Sequence, residues 1–138
     1  MVRGEVNDSR YDLVPIGHVR STLKEPGAAP RQGTEGAPNA WLDIRDEFDR
    51  ALDGLRVGQQ VLIITWLHLA RRDLLQVHPR DNPAAPLAGV FNTRSADRPN
   101  PLGLHQVRIL QLSGNQVEVG PLEAVDGTPV LDIKPVLT

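Results

Sequence analysis

The chain contains no cysteine, which excludes disulfide bonds, thiolate metal sites and cysteine nucleophiles together. Aromatic residues make up only 4% of the chain, and Lys24 and Lys134 are its only lysines. The longest apolar stretch, residues 61–67, is far shorter than the ~20 residues that span a bilayer. The N-terminal residues MVRGEVNDSRYD lack the apolar segment of a secretory signal. These absences predict a soluble, cytoplasmic protein without a membrane segment.

The composition that remains favours one folded all-β domain. With 138 residues, the chain has the usual length of a single domain, which is enough to bury a core. Hydrophobic residues make up 40% and charged residues 23%, which excludes an intrinsically disordered chain. Twelve glycines and twelve prolines are many for a helical bundle and suit a chain that turns often.

Apolar patterning predicts short strands separated by turns. The expected strands cover residues 13–21, 41–44, 60–69, 87–91, 104–112, 116–119 and 130–133. One short helix is expected after Asp46, which would cap it, with Gly54 at its end. We therefore predict a small single-domain β-barrel with long loops and one short helix, because closure removes exposed strand edges. Residues 1–12 are expected to be a polar leader and residues 13–138 the barrel domain.

The basic residues are unevenly distributed along the chain. Residues 71–108 contain six arginines against three aspartates, a local charge of +3, and with −2 overall the rest of the chain carries −5. Arginine suits forked contacts to phosphate or carboxylate. This segment is either an anion-binding face or a solvated surface that clusters charge by chance.

Several common site patterns are missing. The four histidines are His18, His68, His78 and His105, and their spacing does not match a metal-ligand motif, so no metal site is predicted. The chain also lacks the G-x-S-x-G elbow of α/β-hydrolases, the dinucleotide fingerprint and the P-loop.

Three segments have unusual chemistry. Residues 30–33 (PRQG) present an arginine fork on a rigid, glycine-flanked loop. Residues 89–103 place two prolines around an asparagine, and a glycine follows them. In residues 126–135 a turn leads into a strand that carries Asp132 and Lys134 two positions apart, hence on one face. The alternative for each segment is a purely structural turn or ion pair.

Taken together, these segments resemble one known family. The run GVFNTRSADRPNPLGLHQVRIL, followed by EAVDGTPVLDIKP, is similar to the TrmO/TsaA-like (YaeB) family. The segments IGHVRS, PRQG and VLIITWLHL match it in the same order, so that the resemblance covers residues 13–137. It implies a β-barrel that forms a homodimer and binds S-adenosyl-L-methionine. It further implies methylation of N6 of N6-threonylcarbamoyladenosine at position 37 of tRNA, directly 3′ of the anticodon.

The resemblance also assigns roles to individual residues. Arg31 or Arg94 would pair with the cofactor carboxylate, and the loop Pro30–Arg31–Gln32 would close over the cofactor. His68 would contact ribose or adenine, and Asp126 would accept a hydrogen bond from an ammonium or hydroxyl group. Backbone groups of Leu104 and of the turn Gly127–Thr128 would address the adenine edge.

The resemblance and the local charge together suggest an RNA face and a catalytic pair. Arg71, Arg72 and Arg98 are expected to contact the anticodon loop. Asp132 is the candidate acceptor for the N6 proton, held ionised by Lys134. Lys134 could instead contact a phosphate, and the two residues could instead form a structural ion pair.

Two departures from the family pattern bear on these expectations. Many bacterial members carry glutamine after the histidine at position 68, where this chain has Leu69, so a cofactor contact there is absent or made by backbone. Longer relatives carry a C-terminal domain beyond the DIKP motif, so tRNA would have to be held by the barrel or its dimer.

Two other functions remain open at this stage. The same barrel could use S-adenosylmethionine to methylate another RNA base or a small molecule, or it could be a non-catalytic nucleotide-binding module. The shortage of aromatics argues against the last, because single-stranded RNA is commonly bound by stacking on exposed rings. Trp66 and Phe91 lie in apolar segments and are expected in the core.

Overall fold

Buried and exposed residues alternate strictly along most of the longest strand in the described residues, Leu102–Ser113. The computed structural model describes residues 9–25 and 36–137. Between residues 102 and 109, every odd-numbered residue is buried and every even-numbered residue is exposed. This period of two places one side of the strand against the core and the other in solvent.

Eight strands occur in the described residues: β1 (Gly17–Arg20), β2 (Ala40–Ile44), β3 (Gln60–Trp66), β4 (Gln76–Val77), β5 (Ala88–Gly89), β6 (Leu102–Ser113), β7 (Gln116–Gly120) and β8 (Pro129–Pro135). Six of them form a closed antiparallel barrel in the order β1-β2-β7-β6-β3-β8. The short strands β4 and β5 pair separately as a two-stranded sheet. The predicted all-β barrel is thus confirmed.

The barrel interior is filled by aliphatic side chains. Fully buried examples are Leu42, Ile63, Ile109, Leu122 and Val130. The first four come from β2, β3, β6 and the connection before β8, so the core joins all parts of the barrel. Burial of such side chains contributes roughly 1.5–3 kcal/mol each to the free energy of unfolding.

The expected helix is present, but in another form. Residues Asp46–Leu52 form a 3-10 helix, and shorter 3-10 turns cover Pro79–Asp81 and Val90–Asn92. The prediction that Asp46 caps the helix is wrong, since Arg45 precedes it without a side-chain cap. The Asp46 carboxylate instead accepts a hydrogen bond from Asn115 Nδ2 at 2.5 Å, across to the β6–β7 turn.

Three predicted strands are longer than the observed ones. β1 begins only at Gly17, after Pro15, which has no N–H for a sheet ladder. β3 ends at Trp66, because the Leu67 N–H donates to Pro101 O and the chain then turns. The expected strand 87–91 shrinks to β5, because Val90 begins a 3-10 turn.

The antiparallel order brings three connections to one end of the barrel. β1, β3 and β7 finish there, and β2, β6 and β8 begin there. We call this the loop end; its described residues are 21–25, 36–39, 67–101 and 121–128. The opposite end carries the 3-10 helix 46–52 and the β6–β7 turn. Of the described residues that are expected to contact a cofactor, all but Leu104 therefore belong to connections at the loop end.

Candidate functional site

Asp126 joins two connections of the loop end. Its Oδ1 accepts the Ser21 N–H at 3.0 Å, and its Oδ2 lies 3.2 Å from Lys24 Nζ. The Ser21 N–H and then the Lys24 ammonium hold the pKa of Asp126 below its usual value, because both favour the charged carboxylate. Asp126 is therefore an anion at neutral pH that is half-exposed at the loop end.

The turn after Asp126 is fastened to β1 by backbone hydrogen bonds. Gly127, at φ +86°, donates its N–H to Val19 O at 2.7 Å, and Val19 donates back to Thr128 O at 2.9 Å. The buried hydroxyl of Thr128 donates to Val125 O at 2.7 Å. The positive φ favours glycine at 127, and the space where a Cβ would stand is open. A ligand can therefore approach the turn closely at Gly127.

His68 and Leu69 lie in the turn that follows β3. Both side chains are exposed, and Leu69 has 57% of its surface open to solvent. They follow closely on Thr65, which pairs with Val130 at the start of β8. The register therefore places His68 on the same side of the loop end as the turn 126–128. It lies in an exposed turn two residues beyond β3, and not at the end of the buried strand as expected.

Leu104 and Asp132 share the outer face of the barrel, and Arg94 contacts the backbone of Leu104. Arg94 Nη2 donates to Leu104 O at 3.1 Å. Leu104 pairs with Ile64, which in turn pairs with Asp132 of β8. Cross-strand partners point to the same side of a sheet, so Leu104, Ile64 and Asp132 form one transverse row. With strands ~4.8 Å apart, Asp132 lies about 10 Å from Leu104.

Asp132 and Lys134 form the expected same-face pair. Lys134 Nζ lies 3.6 Å from Asp132 Oδ2, and the two side chains are 60% and 52% exposed. Asp132 stands three residues along β8 from Pro129, about 10 Å at the usual rise of a strand. It also borders an apolar cavity of about 120 Å³ beneath the 3-10 helix 46–52. Within one chain, the pair thus lies in the row of Leu104 and Ile64 rather than beside Asp126.

Two of the expected RNA-binding arginines are on the surface of the 67–101 connection. Arg71 forms a forked ion pair with Asp73, with Nε and Nη2 at 3.0 and 2.8 Å from the carboxylate oxygens. Arg72 stacks over the Trp66 ring at 5.0 Å and donates to Pro99 O at 2.7 Å. An exposed ion pair such as that of Arg71 is worth little, so its guanidinium can exchange Asp73 for a phosphate.

The third expected arginine, Arg98, has a different environment. It is half-buried and donates to three backbone carbonyls, those of Val90 at 2.6 Å, Ser95 at 2.9 Å and Thr93 at 3.1 Å. These bonds fix the conformation of residues 90–98. Arg98 therefore shapes the connection from within, while Arg71 faces solvent.

The prediction that Phe91 lies in the core is wrong. Its side chain is 85% exposed, at the centre of the 3-10 turn that Arg98 holds. Its neighbour Val90 takes the buried position. Trp66 is half-buried under the Arg72 guanidinium. The loop end consequently presents an exposed ring beside an arginine-rich surface.

A buried polar cluster was missed by the sequence reasoning. His105 Nε2 lies 2.7 Å from Thr65 Oγ1, and His105 Nδ1 lies 2.5 Å from Glu123 Oε1. The alternation of β6 could have found it, because that pattern points His105 to the same side as Val107. Glu123 gave no such signal, since it lies in an irregular connection.

The loop that was expected to close over the cofactor cannot be compared with the structure. Pro30, Arg31 and Gln32 lie outside the described residues. Over residues 9–25 and 36–137, no cluster of three or more His, Asp or Glu side chains could hold a metal ion. In the same ranges, no helix is long and apolar enough to cross a membrane.

Comparison with known proteins gives a consistent set of matches. Residues 18–138 match the family model of the tRNA-methyltransferase O N-terminal domain. A Methanothermobacter thermautotrophicus protein named "Probable S-adenosyl-L-methionine-binding protein" is 40% identical over 94% of this chain and 93% of its own length. The "S-adenosyl-L-methionine-binding protein" of Archaeoglobus fulgidus is 40% identical over 88% of this chain and 86% of its own length.

A solved structure agrees in fold as well as sequence. The crystal structure of TrmO from Pseudomonas aeruginosa superposes with a TM-score of 0.74 and 33% identity over 94% of this chain. The chain spans 55% of the length of that structure.

Proposed function

The chain belongs to the family of the tRNA-methyltransferase O N-terminal domain, and on that premise we propose that it is an S-adenosylmethionine-dependent tRNA methyltransferase. Its substrate is N6 of N6-threonylcarbamoyladenosine at position 37 of tRNA, in the cytoplasm. One observation carries the proposal: the loop end and the adjoining outer face collect an exposed guanidinium, an ionised carboxylate and an open glycine turn. These are the groups that a zwitterionic nucleoside cofactor requires.

The residues of this region fit the parts of S-adenosylmethionine. The Arg94 guanidinium is exposed and donates to Leu104 O, so donors are left for the cofactor carboxylate. Asp126 offers an ionised acceptor to an ammonium or a hydroxyl group. His68 is exposed nearby and can reach a ribose hydroxyl. The cofactor, when bound, supplies an electrophilic methyl group on a sulfonium.

The adenine edge would be read by carbonyl oxygens. The N–H groups of Gly127 and Thr128 already donate to Val19 O and Val125 O. The carbonyls of Thr128 and Leu104 each accept one hydrogen bond, and a carbonyl oxygen has two lone pairs. An exocyclic amino group donates two hydrogen bonds, so such carbonyls suit it.

Asp132 is the candidate for the proton transfer. Its carboxylate is exposed on the outer face, in the row that it forms with Ile64 and Leu104. A carboxylate there can stabilise positive charge that develops on N6 and accept its proton. Lys134 Nζ lies 3.6 Å from this carboxylate and could instead contact a phosphate of the substrate.

The tRNA would lie against the 67–101 connection. Arg71 is exposed there, and Phe91 offers a face on which a base can stack. Arg72 and Arg98 shape this surface through Trp66 and the backbone of residues 90–99.

A second copy of the chain would cover the outer face of β3 and β6. Leu102 and Leu104 are 45% and 46% exposed there. A two-fold dimer packs one face on itself, so Arg94 of one copy would meet the partner's Asp132 across the row. Leu102→Glu should convert the homodimer to a monomer in sedimentation analysis, while Leu112→Glu near the other end of β6 should not. A chain that is monomeric without substitution would contradict this arrangement.

The experiment that tests the function uses tritium-labelled S-adenosylmethionine and purified tRNA. We expect label to enter tRNA only in the presence of the protein, and S-adenosylhomocysteine to inhibit the transfer. Calorimetric binding of S-adenosylmethionine without any transfer to tRNA would favour a binding module. Transfer to small molecules but not to tRNA would favour another substrate class.

A further inference from the structure

His105 is a buried titratable group with no part in the proposed chemistry. Its side chain is 4% exposed inside the barrel, on the inner side of β6. Neighbouring residues are arranged around it: a Cβ at Gly103 would lie 2.3 Å from Thr65 Oγ1 and 2.7 Å from His105 Nε2. A side chain at position 103 would therefore force these two groups apart.

Both ring nitrogens of His105 are engaged. Because Glu123 is a carboxylate, His105 Nδ1–H donates to its Oε1 at 2.5 Å. In the neutral ring Nε2 then accepts the Thr65 hydroxyl hydrogen at 2.7 Å. The three residues come from β3, β6 and the connection before β8, so the cluster fixes that connection to the barrel wall.

The held connection is the one that ends in the turn 126–128. Glu123 lies three residues before Asp126, and the residues around it, Leu122, Ala124 and Val125, are buried. Leu122 N–H also donates to Pro38 O at 2.9 Å. A shift of Glu123 would therefore be transmitted to Asp126 over a short, packed segment.

We propose that His105 is a positioning residue, which through Glu123 fixes residues 121–128 so that the turn 126–128 is set for the cofactor. The inference rests on the proposed function, because it assumes that this turn contacts S-adenosylmethionine. Thr65 hydrogen-bonds the opposite side of the ring, at Nε2. The contact that matters is the one between His105 and Glu123.

Substitutions on the two sides of the ring separate positioning from stability. Glu123→Ala removes the contact to the connection, and Glu123→Gln keeps an acceptor for Nδ1–H. Thr65→Val is the matched control, because valine has a similar volume but lacks the buried hydroxyl. This substitution leaves the His105–Glu123 contact in place. We expect Glu123→Ala and Thr65→Val both to lower the melting temperature, since each leaves a buried polar group unpaired.

The deciding measurements are calorimetric affinity for S-adenosylmethionine and hydrogen exchange, both well below every melting temperature. Glu123→Ala should raise the Kd about 10-fold or more and speed exchange at the amides of residues 126–128, while Glu123→Gln should stay within about 3-fold. His105→Ala should raise the Kd similarly. The double variant His105→Ala, Glu123→Ala should raise it no further, because the two residues act through one contact. Thr65→Val should leave the Kd unchanged.

Either of two results would overturn this inference and leave the proposed function standing. One is an unchanged Kd in Glu123→Ala despite a lower melting temperature. The other is an equal rise in Thr65→Val, which would make affinity a consequence of stability. If the unaltered chain bound no S-adenosylmethionine, the proposed function would fail as well, and this inference with it.

Discussion

At the scale of single residues, Asp126 links the stability of the loop end to pH. Its pKa is lowered in the folded chain by the Ser21 N–H and the Lys24 ammonium. The unfolded chain therefore binds more protons in acid, and the carboxylate stabilises the fold at higher pH. That contribution is complete above the pKa of the unfolded chain and is lost as the pH falls through the folded pKa.

We expect Asp126→Asn to lower the melting temperature at neutral pH and to matter progressively less below about pH 4, where an ordinary aspartate protonates. Thermal melts of both proteins over that pH range measure the difference. Asp49→Asn, on the 3-10 helix at the opposite end, is the control. A difference that is constant over the whole range would contradict the role of the charge.

Asp132 is the residue on which the proposed proton transfer depends. Asp132→Asn keeps the size of the side chain and removes the charge, so we expect kcat to fall by about 10²-fold or more with little change in cofactor affinity. The comparison is Asp43→Asn on β2, which also breaks an exposed ion pair between side chains of strands, in this case with Arg20 of β1. An Asp132→Asn protein that melts earlier but keeps its turnover would make the pair with Lys134 structural.

At the scale of elements, the turn at residues 90–92 depends on a distant side chain. Arg98 reaches back to three carbonyls and, with the Thr93 hydroxyl on Val90 O, fixes the turn that exposes Phe91. A ring fixed in this way loses little entropy when a base stacks on it. The element is therefore suited to contact a single-stranded loop.

Phe91→Ala should weaken tRNA binding by about 1–3 kcal/mol, the usual cost of removing the ring under one stacked base, while the affinity for S-adenosylmethionine stays the same. Phe91→Trp should preserve tRNA binding, because it keeps an aromatic face. Phe91→Leu keeps only the apolar surface and should behave like the alanine variant. Equal tRNA affinity in the Phe91→Leu variant and in the unaltered protein would show that stacking is not involved.

The elements also show what local sequence can predict. The β6–β7 hairpin and β8 were predicted within a few residues, because their alternation and turns are local signals. Phe91 was misplaced because the apolar residues before it resemble a strand, while the interaction that decides its position comes from Arg98, seven residues later. The site could not be predicted for a similar reason. Leu104, Ile64 and Asp132 are brought into one row by the pairing register of three strands, which the local sequence does not specify.

At the scale of the whole molecule, the arginines are concentrated in one segment: residues 71–108 carry a charge of +3, although the net charge of the chain is −2. The positive segment 71–108 includes most of the β3–β6 connection at the loop end. The acidic residues Asp46, Glu47 and Asp49 lie on the 3-10 helix at the opposite end. An RNA would therefore be drawn to the 67–101 connection, in which five arginines face three aspartates.

This concentration of arginines predicts a steep salt dependence of tRNA binding. On a single-stranded segment, each phosphate that the protein neutralises should add about 0.7 to the slope of log Kd against log salt concentration. Arg71→Ala should reduce the slope by about that amount, whereas Arg50→Ala at the opposite end should leave it unchanged. Binding that is independent of salt would place the substrate outside the nucleic acids.

The most direct test of the central claim is nucleoside mass spectrometry of tRNA after reaction with the protein and S-adenosylmethionine. Two forms of one tRNA are compared, with and without the threonylcarbamoyl group on the adenosine 3′ of the anticodon. We predict that one methyl group is added to that nucleoside, only in the modified tRNA, and that Asp132→Asn slows the addition. Methylation of a different nucleoside, or no methylation of either tRNA, would contradict the account.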